Sequence, residues 1–179
     1  MSELSREYGG ALFELADDEK ISDTVLDEIS AIKALLAPDS DYVKLLTSPN
    51  IGIDERVACV DRAFSGKVHT YLCSFLKMMT ERGYAGKIGD CFVEYERLYN
   101  EKNNICVAKV KSAIELSDRQ KDALAERLSA RTGRNVRLDC EVDASLVGGI
   151  SVYVDGELLD GSVSARLSEL RRRLSDITV

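Results

Sequence analysis

The spacing of apolar residues changes once along this 179-residue chain, and that change limits the fold more than any motif does. Through the first hundred residues apolar side chains recur every three or four positions, the period of helices that each bury one face. Tyr8, Leu12, Leu15 and Ala16 mark a first helix. Val25, Ile29, Ile32 and Leu36 mark a second, opened by Ser22 or Asp23 and stopped near Pro38. Tyr42, Leu45 and Leu46 give a short third before Pro49, and Ile53, Val57, Val60 and Phe64 a fourth that ends at Gly66. Val68, Leu72, Phe75, Leu76 and Met79 give a fifth closed by Gly83, and Ile88, Phe92, Tyr95 and Tyr99 a sixth. Short connections between six such segments predict a compact helical bundle.

The period then drops to two. Val107–Ser112 alternates weakly, while Val136, Leu138, Cys140 and Val142 alternate strictly with Arg137, Asp139, Glu141 and Asp143. That pattern predicts a strand with one buried and one wet face. Between the two lies a helix with capping-box spacing at Ser117 and Gln120, a hydrophobic staple at Leu116 and a stop at Gly133. After a Gly148-Gly149 bend come a strand, Ile150–Val154, an Asp155-Gly156 turn, a return strand at Leu158-Leu159, and a last helix opened by Asp160-Gly161-Ser162. The expected fold class is α+β: an N-terminal six-helix bundle over 1–104, then a small mixed α/β domain over 105–179, divided where the polar run ending in Asn103-Asn104 breaks both periods.

Composition narrows the partners. Residues 1–104 carry 12 Lys+Arg and 19 Asp+Glu, a net −7, whereas residues 105–179 carry 12 of each. An acidic first half argues against nucleic acid, whose phosphates require clustered cations. Arg171-Arg172-Arg173 reads as a helix C-terminus complementing its own dipole. Five cysteines in no CxxC spacing, each among apolar neighbours, predict reduced, buried thiols. No apolar stretch reaches the roughly 20 residues of a membrane span, and MSELSREYGG has no signal-peptide core. A soluble intracellular protein is expected.

Chemistry-bearing constellations are sparse. His69, the single histidine, has no carboxylate or cysteine at ligand spacing and reads as a surface or capping residue. Arg82–Lys87 mimics a phosphate loop, but Glu81 stands where a Walker loop needs its first Gly and Ile88 where it needs Ser or Thr. Gly148-Gly149 lacks the following helix and third Gly of a dinucleotide fingerprint. Neither catalytic residue, metal ligand nor cofactor is expected. The alternatives on residues alone are a helical adaptor for RNA or a regulatory protein, and a small carboxylate enzyme.

Five segments, in order, resemble the delta subunit of F-type ATP synthase, the family whose mitochondrial counterpart is the oligomycin-sensitivity-conferring protein. Arg6-Glu7-Tyr8-Gly9-Gly10-Ala11-Leu12-Phe13 is similar to the family's R-x-Y-A-x-A-L-F, with Gly9 in place of the usual Ala. Ser48-Pro49-Asn50-Ile51 with Glu55-Arg56, and Phe75-Leu76 with Glu81-Arg82-Gly83, follow the family's pattern. So do Val142–Ile150 (VDASLVGGI) and Asp160-Gly161-Ser162-Val163 with Arg166-Leu167. The resemblance implies a non-catalytic stator part that clamps the catalytic head to the peripheral stalk. Its helical domain would bind the N-terminal segments of alpha subunits, and its C-terminal domain the C-termini of b subunits. It would meet no small-molecule substrate, and would reach the cytoplasmic face of the bacterial inner membrane only through the complex.

The first and fifth helices are apolar over more than the roughly 100° a core-facing stripe needs, with Tyr71 and Met78 widening the fifth. Width alone fits core packing as well as a groove. With the resemblance, the expected alpha-binding residues are Tyr8, Ala11, Leu12, Leu15, Phe75, Leu76, Met78 and Met79. Those expected to meet the stalk are Gly149, Val163, Leu167 and Leu170. Gly9 and Gly10 either soften the first helix, by up to ~2 kcal/mol against alanines, or allow another helix to come close.

Overall fold

A computed structural model describes residues 2–37, 40–146, 148–161 and 163. The fold is α+β, and the chain divides into two compact units, Met1–Tyr99 and Asn100–Val179. The first unit holds α1 (Glu3–Asp18), α2 (Ser22–Ile32), α3 (Asp41–Thr47), α4 (Ile53–Phe64), α5 (Thr70–Glu81), a 3-10 turn at Ala85–Lys87, and α6 (Ile88–Lys102), which crosses the division. Leu12, Val25, Ile29, Leu36, Leu46, Leu72, Leu76, Met79, Phe92 and Tyr95 belong to one buried cluster. Phe13, which stands off the groove-side arc of α1, packs edge-on against Tyr95 at 5.5 Å between ring centroids. The surplus apolar width of α1 is thus partly core.

Local chemistry sets the helix starts. Ser2 and Ser40 accept from the backbone N–H groups of Ser5 and Val43 at 3.3 and 3.2 Å, capping α1 and α3. His69 caps α5: its Nδ1 accepts from Tyr71 N–H at 3.3 Å. The Glu28 carboxylate of α2 accepts from His69 N–H at 2.8 and 2.9 Å. Gly66 and Gly83 follow α4 and α5 at φ +73° and +76°, left-handed stops that a side chain would strain. α2 begins at Ser22 without a side-chain cap, so neither Ser22 nor Asp23 serves as one. Pro38 lies outside the described residues. On α3 the buried residues are Val43 and Leu46, and Leu45 is exposed.

Gly9 explains its own presence. A Cβ there would stand 2.6 Å from the Cys91 carbonyl oxygen and 2.9 Å from Glu94 Cβ, so α1 and α6 touch backbone to backbone at this point. Gly10 meets only Leu98 Cδ1, at 3.8 Å.

The second unit is a four-stranded sheet, β1 (Ile105–Ser112), β2 (Asn135–Val142), β3 (Ile150–Val154) and β4 (Glu157–Asp160), in the order β2-β1-β3-β4, with α7 (Asp118–Thr132) crossing between β1 and β2. β1 and β2 are parallel, as a helical crossover requires, and the other two pairs are antiparallel. Cys106, Ala108, Val110, Val152 and Val154 are buried with Leu128 of α7. The Gln120 side chain accepts from Ser117 N–H at 2.9 Å, the expected arm of the capping box. Asp155 and Gly156 turn the β3–β4 hairpin at φ +51° and +85°, both left-handed, as a two-residue hairpin loop demands.

β2 departs from expectation. Its register places Cys140 and Val142 beside Val110 and Ser112, on the face where α7 packs. Both are nevertheless exposed, Val142 by 56%. Alternation fixed the face, but β2 is an edge strand and its far half has too little cover. The expectation of five buried thiols is corrected accordingly: Cys73, Cys91 and Cys106 are buried, Cys59 is intermediate and Cys140 exposed. Among the described residues no helix is long and apolar enough to cross a membrane.

Candidate functional site, an apolar groove between α1 and α5

α1 and α5 carry the same arrangement of side chains. Tyr8, Ala11, Leu12 and Leu15 stand at i, i+3, i+4 and i+7, and so do Tyr71, Ser74, Phe75 and Met78. Such a set forms one stripe on a helix. The two stripes line a groove of about 240 Å³. Leu12 and Phe75, buried, form its floor. Tyr8, Tyr71 and Met78 are half-buried walls, and Ala11 and Leu15, the latter 42% exposed, are rim. At one end Arg82 Nη1 donates to the Tyr8 hydroxyl at 2.7 Å, with its guanidinium carbon 5.9 Å from the Tyr8 ring centroid. Tyr84 adds a second ring at that end, 6.3 Å from Tyr8.

The groove gathers six of the eight residues expected to contact a partner. Leu76 and Met79 are not among them: they are 1% and 0% exposed and belong to the core. A step of one residue turns a helix by about 100°, so Met78 lines the groove while Met79 points inward. Their assignment to a binding surface is corrected. Ser74 is a lining residue that a search for apolar positions passes over, since only its spacing from Tyr71 and Met78 reveals it.

This surface has no reactive equipment. Among the described residues its lining holds no carboxylate, thiol or imidazole, and no group of His, Cys, Asp or Glu is placed to hold a metal ion. A partly exposed apolar trough between two helices suits a third helix bearing its own apolar stripe.

In the second unit, Asp143 and Ser145 make a hydrogen-bonded turn. The Asp143 carboxylate accepts from Ser145 N–H at 2.9 Å and from its hydroxyl at 2.6 Å, which hold its carboxyl below the usual value. Gly149 is exposed at φ +87°. Gly161 N–H donates to Ile150 O at 2.9 Å and Val163 N–H to Gly148 O at 3.0 Å. Gly148 lies against Val163, whose Cγ2 would be 3.2 Å from an added Cβ. Val163 and Gly148, the neighbour of Gly149, thus meet in space, so the two residues expected to meet the stalk lie near each other. Leu167 and Leu170 are outside the described residues.

Comparison with known proteins identifies the chain's family. A family model described as ATP synthase delta (OSCP) subunit matches residues 4–174. ATP synthase subunit delta of Chlorobaculum tepidum is 33% identical over 170 residues, covering 95% of this chain and 94% of that one. Its counterpart in Chlorobium luteolum is 36% identical over 171 residues, covering 96% and 94%. A chain in the cryo-EM structure of the Toxoplasma gondii mitochondrial ATP synthase hexamer shares the fold at TM-score 0.72 and 20% identity, covering 97% of this chain and 98% of that one. With both the extent and the identity of these matches, the chain belongs to the ATP synthase delta (OSCP) subunit family.

Proposed function

We propose that this chain is the non-catalytic stator component joining the catalytic head of an F-type ATP synthase to its peripheral stalk. The observation that carries the reading is the α1/α5 groove, an apolar trough without reactive groups in a member of this family. Residues 1–104 act as a six-helix bundle whose groove receives an amphipathic N-terminal segment of an alpha subunit. Residues 105–179 meet the C-termini of b subunits through the surface around Gly149 and Val163. Attached at both places, the chain keeps the head from turning with the rotor, so that proton-driven rotation is coupled to ATP synthesis elsewhere in the complex. It associates with the cytoplasmic face of the bacterial inner membrane through the complex, and needs no cofactor.

Magnitudes favour two attachments. Leu12 and Phe75 are already buried and Tyr8, Tyr71 and Met78 half-buried, so most of the gain comes from the docked helix. Burying about three or four of its apolar side chains gains ~4–12 kcal/mol, and association costs ~4–15 kcal/mol. One groove therefore holds a single helix at most moderately, and a second site on the same chain raises the effective concentration at the first. The test uses rim and wall residues, because the buried Leu76 and Met79 would unfold the protein if charged. Leu15→Asp and Met78→Asp are expected to weaken binding of an alpha N-terminal peptide at least tenfold, roughly the 1.4 kcal/mol equivalent of a factor of ten, with the circular dichroism spectrum unchanged. Undiminished affinity in both folded variants would refute the groove assignment.

A further inference from the structure

The lip of the α1/α5 groove differs in chemistry from its floor. Glu7, Ala11, Glu14 and Asp18 stand at i, i+4, i+7 and i+11, a row that passes along the groove through its rim residue Ala11. All three carboxylates are exposed, and none is engaged by another group among the described residues. Of the cations near the groove, Arg82 donates to the neutral Tyr8 hydroxyl and keeps its charge at that end, and Lys77 is paired with Asp61 of α4. Along the α1 lip stand three carboxylates without an ion-pair partner among the described residues, spread over about 16 Å, the rise of eleven helical residues. They stand beside apolar surface that a docked helix would cover, where charge pairs are screened less than in open water.

We infer that the groove selects an amphipathic helix whose flank beside α1 carries Lys or Arg, over a helix with the same apolar face and a neutral or acidic flank. This rests on the reading of the groove as a helix-binding site and adds the chemistry of the occupant. The apolar floor supplies affinity that any suitable helix shares. The carboxylate row supplies selection, since complementary charge favours encounter with the right partner and opposes the wrong one.

The test uses the full chain and three synthetic helical peptides about five turns long. They share one Leu/Ile face and differ only in three flank positions, filled by Lys, Gln or Glu. Binding is followed by fluorescence anisotropy at ionic strengths of about 0.01 M and about 1 M, where the Debye length is roughly 30 Å and 3 Å. The Lys peptide is expected to bind roughly tenfold tighter than the Gln peptide at low salt, from three exposed pairs, and the Glu peptide more weakly than either. The gap should close at high salt. The triple variant Glu7→Gln, Glu14→Gln, Asp18→Asn should bind all three peptides like the wild type binds the Gln peptide. Charge reversal at Glu7 and Glu14 to Lys should invert the order. Equal affinities for the three peptides, each lost in Met78→Asp, would overturn the charge selection and leave the groove reading standing. Binding of none, or binding indifferent to Met78→Asp, would overturn both.

Discussion

Gly9 and Gly10 are neighbours in sequence with opposite roles. Ala at position 9 would force its methyl into a backbone carbonyl of α6, which cannot swing aside. Overpacking of that kind costs about 1–3 kcal/mol, more than the up to ~1 kcal/mol of helix propensity that Ala gains over Gly. Gly9→Ala is therefore expected to lower the urea midpoint and Gly10→Ala to raise it. The opposite order would mean that α1 does not lie on α6 as described. Glu94, on the same contact, is buried and holds Arg97 at 2.8 and 3.0 Å. The Arg97 hydrogen bonds keep its carboxyl below the usual range despite burial. A lowered folded pKa means that the unfolded chain binds the proton more tightly, so this pair stabilises the fold above about pH 4.3, the usual Glu value. Its contribution fades as pH falls through the lowered folded value. The stability difference between wild type and Glu94→Gln, measured by urea titration, should be full at neutral pH and vanish in acid. Residues such as His69 and Ser117 were legible in the sequence because a cap depends on local spacing. Gly9 was half legible: the departure from Ala stood out, but its reason required a helix some eighty residues away.

Among elements, the stripes of α1 and α5 show where periodicity stops informing. Both helices are apolar over two adjoining arcs, one turned to the core and one to the groove. The sequence pattern lists the members of the two arcs together, so Met78 and Met79 looked alike. Packing alone separates them, and Met79→Ala should cost the ~2–5 kcal/mol of a core cavity while Met78→Ala costs less. β2 failed for a related reason: alternation assigned Cys140 to the sheet's covered face without saying how far the cover extends. Reaction with a maleimide should follow that exposure. Cys140 is expected to label first in the native protein, and Cys91, buried with its thiol pushed up to about 11, only on unfolding. Early labelling of Cys91 would mean that α1 and α6 separate readily.

For the whole molecule, the change of period pointed to the α+β class, and the seven helices and four-stranded sheet among the described residues agree with it. Reactive residues offered nothing to follow, and the family's order of motifs indicated the stator role where physical pattern alone allowed several readings. The last helix of the chain, expected from Val163 onward, falls almost wholly outside the described residues.

Glu28 gives the first unit a property suited to mechanical duty. It lines no part of the groove, yet its carboxylate grips the backbone N–H of His69, two residues before Tyr71 in the groove wall. On the proposed reading of the groove, tension on a docked helix that tugs at α5 is shared with α2. In Glu28→Ala, an alpha peptide bound there should then dissociate faster although every residue lining the groove is unchanged.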